Sequence, residues 1–139
     1  VIVLDTNVVS EAMKPNPAPL VIEWLDRRPA EEFFLASTSL AELLVGIEIL
    51  PPGRRRLLLA EILRQSIERF FGPRILPFDQ ASAQAFAILF ARTRARGAAI
   101  SMGDCQIAAV AQVHGFAVAT RDAAPFLAAG LQVIDPWTT

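Results

Sequence analysis

The chain has 139 residues, 53% of them apolar and 19% charged, which suits one packed domain and is too apolar for a disordered chain. Thirteen basic residues nearly offset fourteen acidic ones, so a globally basic nucleic-acid binder is excluded, while a local basic patch is not. A single cysteine, Cys105, and a single histidine, His114, exclude an internal disulfide, a cysteine-rich zinc site and a multi-histidine metal centre, leaving the chemistry to carboxylates, hydroxyls and arginines.

Residues 1–4 form a short apolar run without alternation, which predicts a strand buried on both faces. Asp5-Thr6-Asn7 follows, all turn and capping types. Residues 8–13 predict a short helix, stopped by Pro15, Pro17 and Pro19. Leu20, Val21, Trp24 and Leu25 recur at helical spacing over residues 20–26. Residues 33–36 predict a second strand. A helix over 39–50 puts Leu40, Leu43, Leu44 and Ile47 on one face. The longest helix, 54–71, is expected to turn Leu57, Leu58, Ile62, Leu63 and Ile67 inward. A short strand at 75–77 precedes helices over 80–96 and 103–114, closed by Gly97 and Gly115. A strand at 116–119, a short helix at 122–129 and a last strand at 131–134 complete the pattern.

Strands and helices alternate, and no hairpin signal joins two strands. The expectation is an α/β fold of three layers, with helices on both faces of a central, mainly parallel sheet of four to five short strands. Residues 1–139 read as a single domain. No charged leader precedes an apolar stretch, no apolar run approaches the ~20 residues of a membrane span, and cysteine is scarce. These features predict a cytoplasmic protein without a membrane partner.

Ligands of open α/β sheets bind at the carboxyl ends of the strands. Four carboxylates fall there: Asp5 after the first strand, Glu42 after the second, Asp104 at the start of the helix before the fourth, and Asp122 just past it. Each has a structural alternative. Asp5 and Asp122 fit helix caps, and Ser39-x-x-Glu42 and Ser101-x-x-Asp104 fit capping boxes. As a set they point elsewhere. Clustered carboxylates repel and disfavour folding unless a cation joins them, and a hard divalent ion, Mg2+ or Mn2+, suits oxygen ligands. The four are therefore expected to converge on one pocket.

Val1-Ile2-Val3-Leu4-Asp5-Thr6-Asn7 resembles the opening of PIN-domain nucleases. Ser39-Leu40-Ala41-Glu42-Leu43, Gly103-Asp104-Cys105-Gln106-Ile107-Ala108-Ala109, Ala119-Thr120-Arg121-Asp122 and Ile134-Asp135-Pro136-Trp137 extend the resemblance in order and spacing. The set is similar to VapC-type toxins, above all the FitB-like branch. This resemblance implies a PIN fold, a metal-dependent endoribonuclease acting as the toxin of a type II toxin–antitoxin pair, and a homodimer that joins a larger assembly. It implies a cognate antitoxin, a small DNA-binding protein with a basic tail, and RNA as substrate. Asp5 and Asp104 match the metal ligands of the family and Glu42 its third acid. Asp122 is read as the fourth, because Thr-Arg-Asp is the form of the FitB-like branch. Many other members carry Thr-Arg-Asn with an aspartate three residues later, where this chain has Pro125. Thr6, Thr120 and Arg121 are candidate phosphate or ligand contacts.

Metal-activated water and neutralised phosphate charge suffice for phosphodiester hydrolysis without a histidine. Of the thirteen basic residues only Lys14 is lysine, and arginines cluster at 54–56 and at 92, 94 and 96, where a guanidinium fork can grip phosphate. Two alternatives stand beside this reading. A haloacid-dehalogenase-like phosphatase also has an aspartate after an apolar strand, but needs a second one two residues on, where Asn7 stands, and a lysine downstream of Lys14, which is missing. A catalytically dead PIN fold serving as a partner-binding module would not require all four acids.

Overall fold

The computed structural model describes residues 1–139. Its strands are β1 (Ile2–Leu4), β2 (Phe33–Ala36), β3 (Ile75–Leu76), β4 (Ala117–Ala119) and β5 (Val133–Ile134). Its α-helices are α1 (Thr6–Ala12), α2 (Pro19–Asp26), α3 (Ser37–Glu48), α4 (Arg54–Phe70), α5 (Gln80–Ala95), α6 (Met102–His114) and α7 (Ala123–Ala128). The strands form one all-parallel sheet in the order β3-β2-β1-β4-β5. β1 is central, and Ile2, Val3 and Leu4 are at most 4% exposed, as an unbroken apolar run requires.

Alternate residues of each strand serve opposite cores. Ile2, Leu4, Phe33, Leu35 and Ala119 pack with Val8, Val9, Val21, Trp24, Leu25 and Phe71 under α1, α2 and the end of α4. Val3, Ala36 and Val118 pack on the other face with α5, α6 and α7, including Leu89, Ile107, Val110 and Phe126. The helices thus form two outer layers. α6 is closed by Gly115, whose φ of 71° is the left-handed conformation a glycine adopts freely.

The strand order runs outward from β1 to β2 and β3 on one side, and through β4 to β5 on the other. The order in which strands are added therefore reverses between β1 and β4, the topological switch point where open α/β sheets bind ligands. Asp5 leaves β1 at this point, and Thr120 and Asp122 leave β4 beside it.

Several expectations need correction. α3 begins at Ser37, two residues before the expected start, so Ser39 is no N-cap: its hydroxyl is fully buried and bonded to no protein group. On α4, Leu57, Leu58 and Ile62 are 72%, 61% and 42% exposed. Leu63 and Ile67 do face inward as expected, joined by Leu59 and Phe70, and Leu63 is the buried centre of this stripe. Leu44 of α3 is likewise exposed. β3 ends before Pro77, which has no N–H to give a ladder.

Candidate active site

Asp5 sits at the N-cap of α1 with extended backbone, so its carboxylate turns back over the first turn of the helix. Oδ1 accepts the Thr6 N–H at 2.7 Å. Oδ2 accepts the Thr120 hydroxyl at 2.8 Å and the Asn7 side-chain amide at 3.4 Å. The capping reading thus holds for Asp5: one oxygen caps α1, while the other ties β1 to β4.

Glu42 stands on the first turns of α3, exposed, and its Oε2 accepts the Thr6 hydroxyl at 2.9 Å. Thr6 therefore joins two acids, through its N–H to Asp5 and its Oγ1 to Glu42. Asp104 lies in the first turn of α6, where negative charge is favoured by the helix dipole, and Ser101 caps that helix by accepting the Asp104 N–H at 3.1 Å. Asp122 occupies the N-cap position of α7, but its side chain makes no capping bond. The cap alternative is therefore absent for Asp122, and its exposed carboxylate is free for other partners.

The electrostatics follow from burial. Asp5 is 6% exposed, and burial pushes its carboxyl above the ordinary 3.8. The bonds from Thr120 and Thr6 hold it down in part, while the charges of Asp104 and Glu42 push it up further. Asp104 is also raised, first by burial and then by Asp122 and Glu42, against the lowering effect of Ser101. Asp5 and Asp104 therefore each feel the charge of other acids of the set. None of them forms an ion pair, since the chain's salt bridges all involve Glu11, Glu32, Glu48, Glu61 and Glu68.

Their convergence is looser than expected: no three Asp, Glu, His or Cys side chains stand close enough to hold a metal ion between them. The donor set nevertheless fits a hard divalent ion. It is all oxygen, lacks a counter-charge, and Mg2+ needs only one or two direct carboxylates with waters completing its shell. Asp5 Oδ1 accepts a single hydrogen bond and so has a lone pair to give.

The remaining candidates divide. Thr120 is fully buried and faces inward. Its Oγ1 accepts from Asn7 Nδ2 at 3.2 Å and from the Asp122 N–H at 3.0 Å, and its proton goes to Asp5, so no bonding capacity is left for a phosphate. The Arg121 guanidinium lies 5.1 Å over the Trp137 ring, which fastens the C-terminal turn to the strand end. Asn7 was not singled out from the sequence, although it belongs to the Asp5-Thr6-Asn7 motif. It touches Asp5, Thr120 and, through Oδ1, the Arg121 N–H at 3.4 Å.

Residues 2–130 match the model of the PIN domain. Over 136 residues, the chain is 44% identical to plasmid stability protein StbB of Pseudomonas syringae pv. tomato, covering 98% of each. Over the same length it is 42% identical to VapC ribonuclease Y4jK of Sinorhizobium fredii, covering 98% of this chain and 97% of that one. It is 41% identical to toxin FitB of Neisseria gonorrhoeae, again covering 98% of each. The solved structure of FitAB bound to an IR36 DNA fragment superposes with a TM-score of 0.93 at 39% identity, covering 99% of this chain and 96% of that one. These matches leave the dehalogenase-type alternative without support. With acids at the β1/β4 switch point, a PIN-domain match over nearly its whole length and full-length VapC- and FitB-type relatives, the chain belongs to the PIN-domain family.

Proposed function

We propose that this chain is the toxin of a type II toxin–antitoxin pair, a Mg2+- or Mn2+-dependent endoribonuclease whose site is Asp5, Glu42, Asp104 and Asp122. The observation that carries the reading is a set of four carboxylates where strands give way to helices, none of them ion-paired and two of them, Asp5 and Asp104, pressed by the charges of neighbouring acids, in a chain closely similar to a VapC ribonuclease. Asp5 and Asp104 would hold the ion, with Glu42 and Asp122 adding to the negative charge around it. Bound there, a divalent ion would supply a water of lowered pKa and Lewis acidity toward the phosphate. Thr6 fixes Glu42 through Oε2 and leaves Oε1 free to accept a hydrogen bond from water. Ser101 holds the first turn of α6, and with it Asp104. Unpaired Arg92, Arg94 and Arg96, at the end of α5 in the segment leading to Ser101, offer phosphate contacts to an extended RNA.

The partner in this reading is an antitoxin, a small DNA-binding protein with a basic tail, in a larger assembly built on a toxin dimer. Its docking surface is an apolar groove of about 450 Å³ between α1 and α4, lined by Val8, Val9, Met13, Ile62, Ile67 and Phe70. Leu58, one turn before Ile62 on α4 and exposed, extends the apolar surface.

Purified chain incubated with RNA in Mg2+, in Mn2+ and in chelator tests the enzymatic reading. Cleavage that requires the ion and is abolished by Asp5→Asn supports it. A folded protein that cuts no RNA with either ion is the dead-fold module instead.

A further inference from the structure

Asn7 is a half-buried residue in the first turn of α1, and nothing in its own helix calls for an amide there. Its side-chain hydrogen bonds run back to Asp5, the N-cap of α1 at the end of β1, and across to the end of β4. Nδ2 reaches Asp5 Oδ2 and Thr120 Oγ1, while Oδ1 receives the Arg121 N–H. The network fixes the amide's orientation, since turning it over would set its oxygen against two acceptors and its NH₂ against an N–H. Asn7 and the Asp122 N–H together fill both lone pairs of Thr120 Oγ1, which commits the Thr120 proton to Asp5 Oδ2.

We infer that Asn7 is a positioning residue: with Thr120 it forms a clasp that occupies Asp5 Oδ2 and holds the Thr120–Asp122 strand end against Asp5, so that Oδ1 is the oxygen Asp5 presents to a metal ion. This rests on the metal-site reading above. The argument is one of valence. Two hydrogen bonds saturate Oδ2, and one leaves Oδ1 a free lone pair. Groups that hold a ligating carboxylate in place contribute about 10–100-fold to metal affinity. Because Asn7 and Thr120 act on the same oxygen and on each other, their effects are coupled.

Calorimetric titration of Mn2+ into the full chain tests this, with each protein also melted in chelator to check its fold. Asn7→Ala and Thr120→Val are each expected to weaken Mn2+ binding by about tenfold or more. Thr120→Ser, which keeps the hydroxyl, is expected to restore it. The double variant is expected to bind more tightly than the product of the single losses predicts. A folded Asn7→Ala protein that binds Mn2+ as tightly as wild type overturns the clasp, whatever its melting temperature, because a purely structural fastener would lower melting and leave affinity alone. Multiplicative losses in the double variant also overturn it. If Thr120→Val fails to fold, Asn7→Ala decides the matter, since Asn7 lies outside the core. Wild-type protein that takes up no Mn2+ contradicts the metal-site reading itself, whereas tight wild-type binding with an unaffected Asn7→Ala variant contradicts the clasp alone.

Discussion

Removing one charge from the acidic cluster separates its effect on stability from its effect on chemistry. Burial and the neighbouring charges of Asp122 and Glu42 raise the Asp104 carboxyl in the folded chain, so ionised Asp104 opposes folding of the metal-free protein. The stability that Asp104 brings is present below the ordinary value of 3.8 and is lost as pH rises through the raised folded value. In chelator at neutral pH, Asp104→Asn is therefore expected to melt a few degrees above wild type while losing cleavage. The gap should close as pH falls towards 3.8. A variant that melts below wild type at neutral pH would contradict the crowded site. Asp5, Glu42, Asp104 and Asp122 were legible in the sequence because each follows a strand or opens a helix, where the chain must turn. Asn7 was not, because its role depends on Thr120, 113 positions away, and no local pattern reports that pairing.

At the scale of elements, α4 shows what periodicity alone does and does not specify. Leu57-Leu58-Leu59 offers three neighbouring registers for an inward face, and the sequence does not choose among them. Packing chooses Leu59 and Leu63 and leaves Leu57 and Leu58 in solvent. Leu63→Ala is accordingly expected to destabilise the chain by about 2–5 kcal/mol in urea unfolding. Leu58→Ala should stay within about 0.5 kcal/mol. Equal losses would mean that the exposed stripe packs within the monomer. The parallel sheet itself was readable, because short apolar strands alternate with helices and lack hairpin turns. The start of α3 was misread because Ser39 and Glu42 imitate a capping box, while the helix is already under way from Ser37.

For the whole molecule, the topology brings a negative site and an apolar groove close together. Leu4 and Val8 line the groove and flank the Asp5–Asn7 segment. A partner helix seated in the groove can thus send a basic tail into the acids, which pairs with them and competes with the ion. RNase activity measured at fixed antitoxin and rising Mg2+ should then recover in part. Inhibition indifferent to Mg2+ would contradict competition and leave docking by the groove alone. Leu58→Glu should weaken antitoxin binding with little change in monomer melting.

The proposed mechanism requires Asp5 and Asp104 to share a divalent ion. Diffraction from crystals soaked in Mn2+, recorded at the manganese absorption edge, measures this directly. An anomalous peak is expected at the β1/β4 switch point, bonded to Asp5 through Oδ1 and to Asp104 directly or through water, with Glu42 and Asp122 turned towards it. Mn2+ bound elsewhere on the protein, with the four carboxylates unliganded and still apart, would contradict it.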